Sequence, residues 1–134
     1  THIDGLNLAI FQARMERGKK FIRRMTSVNE IIGYEPDEGR LNFLPVFMYD
    51  ADVDQFRFMG SSFHLENKVL AFRDWGKERL RELYDELKAR AEILSFLAEN
   101  FPSFTDVWKT IIAVRNSGVW GIHRKVKEMG IPWQ

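Results

Sequence analysis

A chain of 134 residues with 45% hydrophobic and 13% aromatic content can bury a core of ordinary domain size, so one compact unit or two closely associated subdomains are expected, not a disordered chain. The formal net charge of +1 neither demands nor forbids a polyanionic partner, and the lack of cysteine excludes disulfides and thiolate metal sites, as fits a reducing compartment. No apolar run approaches the roughly 20 residues that span a bilayer, and no basic-apolar-small leader opens the chain, so a soluble chain that does not span a membrane is expected.

The first half alternates. Leu6 to Met15 is a candidate strand, turned back at Arg17-Gly18-Lys19 into a basic strand from Phe21 to Ile32. Pro36-Asp37-Glu38-Gly39 combines a preset φ, a side chain able to bond its own backbone and a glycine able to take positive φ, which joins two strands tightly and makes them antiparallel. An aromatic strand follows. Asp50-Ala51-Asp52-Val53-Asp54 reverses the chain again, because acidic residues repel one another and stay solvated, and Gln55-Phe56-Arg57-Phe58 alternates with period two.

From Ser61 apolar residues return every three or four positions, which predicts helices. A short helix is expected over Ser62 to Phe72, with Asp74 as a cap for the next. Leu80, Leu83, Tyr84, Leu87, Ala91, Leu94 and Leu97 form one stripe of a long amphipathic helix, opposite Lys77, Glu78, Arg81, Glu82, Asp85 and Lys88. Pro102-Ser103 starts another, with Ser103 and Asp106 spaced like a capping box and Phe104, Val107, Trp108, Ile111 and Ile112 as its core face. Val119, Ile122, Val126 and Met129 predict a last helix, ended by Gly130 and Pro132. The fold class is therefore α+β: an antiparallel β-meander over residues 1–60, then a C-terminal helical bundle over residues 61–134.

Arg14, Arg17, Lys19, Lys20, Arg23 and Arg24 crowd one hairpin, where guanidinium forks suit phosphate oxygens, although a solvated edge or an ion-paired interface is the commoner use of such a run. Glu30 is expected as a structural ion-pair partner of Arg23 or Arg24. Asp50, Asp52 and Asp54 have the spacing that opens a calcium loop, but the required glycine and terminal glutamate do not follow, so no metal site is assigned. His2, His64 and His123 lack paired spacing with acids and receive no catalytic or zinc role.

The strand with Arg23-Arg24, then Asn29-Glu30-Ile31-Ile32, the acidic turn after it, Pro45-Val46-Phe47, and Asp50 to Asp54 followed by Phe56 and Phe58 together resemble the C-terminal end of archaeal secretion ATPases, the motors of type II/type IV secretion systems, pili and archaella. The match is most specific from Asp4 to Phe58, where Leu6 to Arg14 resembles the stretch before the family's paired arginines; the later helices resemble its helical cap. The resemblance implies a cytoplasmic homo-hexameric parent at the inner face of the cell membrane, which hydrolyses ATP with magnesium and acts on a membrane platform protein. It also implies that Arg14, Arg23 and Arg24 lie near nucleotide or a subunit boundary.

The chain departs from such a motor in one respect: no stretch matches GxxxxGK[ST], and Gly18-Lys19-Lys20 lacks both the upstream glycine and the hydroxyl. By itself it is expected to bind no cofactor and hydrolyse nothing. It opens at Thr1 and enters a strand pattern almost at once, so a piece of a longer protein is expected. The alternatives are an independent nucleic-acid-binding module built on the basic hairpin, against which the small net charge weighs, and a free-standing oligomerisation domain.

Overall fold

The structure, a computed structural model, describes residues 5–134, so Thr1, His2 and the start of the resemblance at Asp4 lie outside the described residues. The protein is α+β, and the chain divides after Asp74 into two compact units.

The first unit is a four-stranded antiparallel meander in the order β1-β2-β3-β4, with β1 Leu8–Arg17, β2 Lys20–Glu35, β3 Arg40–Asp50 and β4 Gln55–Phe58. The turn residues do what their chemistry predicts. Gly18 and Gly39 take φ of 63° and 62°, a region that residues with a side chain adopt only at a cost, and the Pro36 carbonyl accepts from the Gly39 amide at 3.3 Å.

Pro45 lies in an internal strand, which its missing N–H ordinarily forbids. It sits at a break in register: Val28 faces Phe47 and Asn29 faces Pro45, so Val46 is an extra residue on β3. Val46 is buried, as are Ile31 and Leu70, so the bulge turns a side chain inward where the ladder loses a bond.

The change from strand to helix comes where periodicity predicts, but the compact unit does not end there. After β4 a π-type turn, Leu65–Val69, runs into the short α1, Leu70–Phe72, and both belong with the sheet. The reason is polar. The Ser62 hydroxyl donates to the Glu30 carboxylate, the His64 amide donates to the same carboxylate at 3.3 Å, and His64 Nε2 lies 3.0 Å from the Asn7 carbonyl and 3.1 Å from that of Ile31. Both partners of Nε2 are acceptors, so that nitrogen carries the proton. Asp74 caps nothing; it takes φ of 55° in the turn that closes this unit, and the next helical turn starts from Gly76 without a side-chain cap.

The second unit holds a 3-10 turn, Lys77–Arg79, and three helices: α2 Leu80–Asn100, α3 Phe104–Ser117 and α4 Val119–Lys127. Ser103 caps α3 as its spacing predicts, its hydroxyl accepting from the Asp106 amide at 3.2 Å. The core is Ala89, Ile93, Phe96 and Leu97 of α2 with Val119, Ile122 and Val126 of α4, and Phe101, Val107, Ala113 and Val114 pack against it.

Two expected stripes are corrected here. On α2 the buried positions are Leu83, Glu86, Ala89, Ile93, Phe96 and Leu97, so the inward face is rotated from the one predicted, and Leu94 is 56% exposed. On α3 most of the predicted core face points outward: Phe104 is 83% exposed and Trp108, Ile111 and Ile112 are also exposed, whereas Val107 packs against the core as predicted and Thr110 is the buried residue. Apolar residues surround most of α3, so periodicity alone cannot choose its inner face; packing against α2 and α4 does. Met129, expected to end the apolar stripe of α4, lies beyond that helix and is exposed.

Candidate functional site: the basic hairpin

Successive side chains of a strand point to opposite faces. Arg23 and Arg24, adjacent in β2, therefore meet different surroundings.

Arg24 is held. Its Nε and Nη2 donate to the two carboxylate oxygens of Asp54 at 2.8 and 3.0 Å, a bidentate fork, and the Tyr49 hydroxyl donates to Asp54 Oδ1 at 2.6 Å. The hydrogen bond from Arg24, then that from Tyr49, pulls the Asp54 carboxyl well below the usual carboxylate range; the same bond with Asp54 raises Arg24 further, and Tyr49 is pushed up mainly by its own bond to Asp54. Asp54 reaches this position with φ of 51°, at the end of the β3–β4 turn.

That acidic turn folds against the basic hairpin. Arg17 Nη1 donates to the Ala51 carbonyl at 2.8 Å, Asp50 pairs with Arg57, and the Asp50 carboxylate accepts from the Asp52 amide at 3.1 Å. The two charge runs, separate in the sequence, meet at two points, the Arg24–Asp54 ion pair and the bond from Arg17 to the Ala51 carbonyl.

Arg23 is not held this way. It stands directly opposite Arg14 in the β1–β2 register, on the face that carries Phe21, and the Arg14 guanidinium lies 4.2 Å from the centre of the Phe21 ring. Like charges directly opposite one another in a sheet are destabilising. Among the described residues no carboxylate pairs with either guanidinium, and with Phe21 and Ile22 they border an open depression of about 390 Å³. Two uncompensated planar cations beside an exposed ring form an anion-facing surface suited to a phosphate or a carboxylate.

Of the four residues singled out from sequence, the fold brings Arg14 and Arg23 together and sends Arg24 and Glu30 elsewhere. The ion pair expected for Glu30 with Arg23 or Arg24 does not form. Six residues of extended strand separate Glu30 from Arg24 by about 20 Å. Glu30 is instead 2% exposed, and its carboxylate receives Ser62 and His64. Tyr49 and Asp54, which complete the Arg24 clamp, were not singled out as a unit; their spacing across one tight turn was the available signal.

In the helical unit Glu92 accepts from His123 at 2.7 Å and from Lys127 at 2.8 Å, and these bonds, Lys127 first, draw its carboxyl from an ordinary 4.5 to about 2. No helix of the described residues is long and apolar enough to cross a membrane.

No family model matches the chain. It is 33% identical over 125 residues to the uncharacterized protein MJ0900 of Methanocaldococcus jannaschii, a match covering 91% of this chain and 22% of that protein. It is 30% identical over 109 residues to the uncharacterized protein MJ1287 of the same organism, covering 81% of this chain and 39% of that protein. The chain thus spans well under half the length of these curated relatives.

Proposed function

We propose that this chain is the C-terminal portion of a hexameric secretion, pilus or archaellum motor ATPase, which packs subunits together and presents partner contacts while the phosphate-binding machinery lies elsewhere in the parent. The observation that carries the reading is the single meander formed by the residues of the resemblance: Arg23-Arg24, Asn29 to Ile32, Pro45 to Phe47 and the Asp50 to Asp54 turn lie on adjoining strands and their connection. The much greater length of both relatives supports a longer parent.

Within this reading the paired arginines divide the work. Arg24 braces the sheet through Asp54, whereas Arg14 and Arg23 offer free cations to a phosphate or an acidic surface at a subunit boundary. The sequence has no loop able to cradle a triphosphate, so ATP and magnesium are assigned to no residue of this chain. Phosphate release from ATP tests the reading. The 134-residue chain alone should show none, while the polypeptide that carries it in cells should turn ATP over and lose activity on Arg23→Gln. Turnover by the isolated chain would contradict the division of labour.

The free pair beside Phe21 also gives a specific footing to a second reading, single-stranded nucleic-acid binding, in which a base stacks on the ring. That reading requires affinity for an oligonucleotide that falls steeply with salt, with a slope flattened by replacing Arg14 and Arg23.

A further inference from the structure

We propose that the trough between α2 and α3 is a docking groove for an acidic amphipathic helix of a partner protein. The inference rests on the helical unit alone and is independent of the motor reading.

The trough has a volume of about 520 Å³ and is lined by Ile93, Leu94, Leu97, Thr110, Ile111 and Val114 between Arg90 and Arg115. Its floor makes no polar demand. The Thr110 hydroxyl already donates to the Asp106 carbonyl at 2.8 Å, so this 1% exposed side chain has no free donor to offer. The walls gather large apolar side chains into one contiguous exposed strip, which folded surfaces rarely do: Leu94 is 56% and Ile111 49% exposed, and Trp108 and Phe104 continue the strip along α3.

Shape and charge then choose the occupant. From Arg90 to Leu97 the α2 wall runs about 10 Å, two helical turns, which accommodates anchors at i, i+3 or i+4, and i+7 of a facing helix better than an enclosed small molecule. The charged side chains that line the trough are both cationic. Arg90 leans on Glu86 at 3.1 Å, and Arg115 has no carboxylate partner among the described residues. A helix with an apolar face and carboxylates along its margins satisfies both features, because each acid meets a guanidinium at the rim while the apolar side chains leave water.

The test uses a synthetic peptide of about 14 residues, four turns, with leucines on one face and glutamates on both margins, against a twin carrying lysines at the margins. Calorimetry and amide shifts of the isotope-labelled 134-residue chain are the readouts. The glutamate peptide should bind at least about tenfold tighter than its twin, a preference that added salt narrows, and should move amides in 90–97 and 110–115. Arg115→Glu should reverse the preference and Leu94→Glu should abolish binding; both positions are exposed, and circular dichroism checks that the fold survives. Equal affinity for the twins, no binding, or shifts confined to other residues would overturn the proposal. So would a dimer in analytical ultracentrifugation that Leu94→Glu splits, since a second copy would then fill the trough.

Discussion

Arg23 and Arg24 are one peptide bond apart and have unlike environments, which makes them the most informative pair for mutation. Arg24→Gln and Asp54→Asn each break the fork that ties β2 to the β3–β4 turn, so both should lower the melting temperature at pH 7, whereas Arg23→Gln, which removes a like charge facing Arg14, should not lower it. The pH dependence follows from the depressed carboxyls. A carboxylate held below its unfolded value contributes stability in full above that value and loses it as the pH falls through the folded one. For Glu92 the window runs from about 4.5 down to about 2, so the stability difference between the wild type and Glu92→Gln should be full at pH 7 and vanish as the pH approaches 2. Acid titration of thermal melts reads this directly; a difference that persists unchanged to the bottom of the window would mean that neither Lys127 nor His123 holds Glu92 in solution. The same melts should show Asp54→Asn converging on the wild type only at still lower pH.

At the scale of elements, meander and helices were legible because period-two and period-3.6 patterns are properties of single segments, and turns such as Pro36 to Gly39 carry their own geometry. Facing was less so. The inner side of α2 and α3 is decided by three helices together, which is why Leu94, Phe104 and Ile111 looked like core and are surface. Leu97→Ala should therefore cost about 2–5 kcal/mol, as for a core leucine, and Leu94→Ala within about 0.5 kcal/mol, as for a surface one, by denaturant melts. Equal costs would restore the sequence-derived stripe. Gly118 joins α3 to α4 at φ 84° and ψ 161°, a region essentially reserved for glycine, so Gly118→Ala should cost about 1–3 kcal/mol although a methyl would meet no atom within 4 Å. The penalty would be one of backbone conformation alone. For the basic hairpin, sequence showed which residues carry charge but not which charges cancel, since the Arg24 to Asp54 fork spans 30 positions and depends on the register of three strands.

At the scale of the whole molecule the strand-to-helix change near residue 61 and the division after Asp74 are different boundaries, because Glu30 and the carbonyls of Asn7 and Ile31 tie the Ser62 to His64 segment to the sheet. Limited proteolysis should accordingly cut between residues 73 and 77 before it cuts between 59 and 64, as mass spectrometry of the first fragments would show. The sheet presents a ten-residue edge strand, β1, whose outer backbone groups find no strand partner among the described residues, and such an edge suits a chain that continues a larger sheet. Membership in a larger motor is tested by the mass and peptide sequence of the polypeptide captured from producing cells by an antibody to this chain. A polypeptide several times longer, with a GxxxxGK[ST] loop ahead of this segment, is the expected result; one no longer than these 134 residues, or a longer one without that loop, would contradict it.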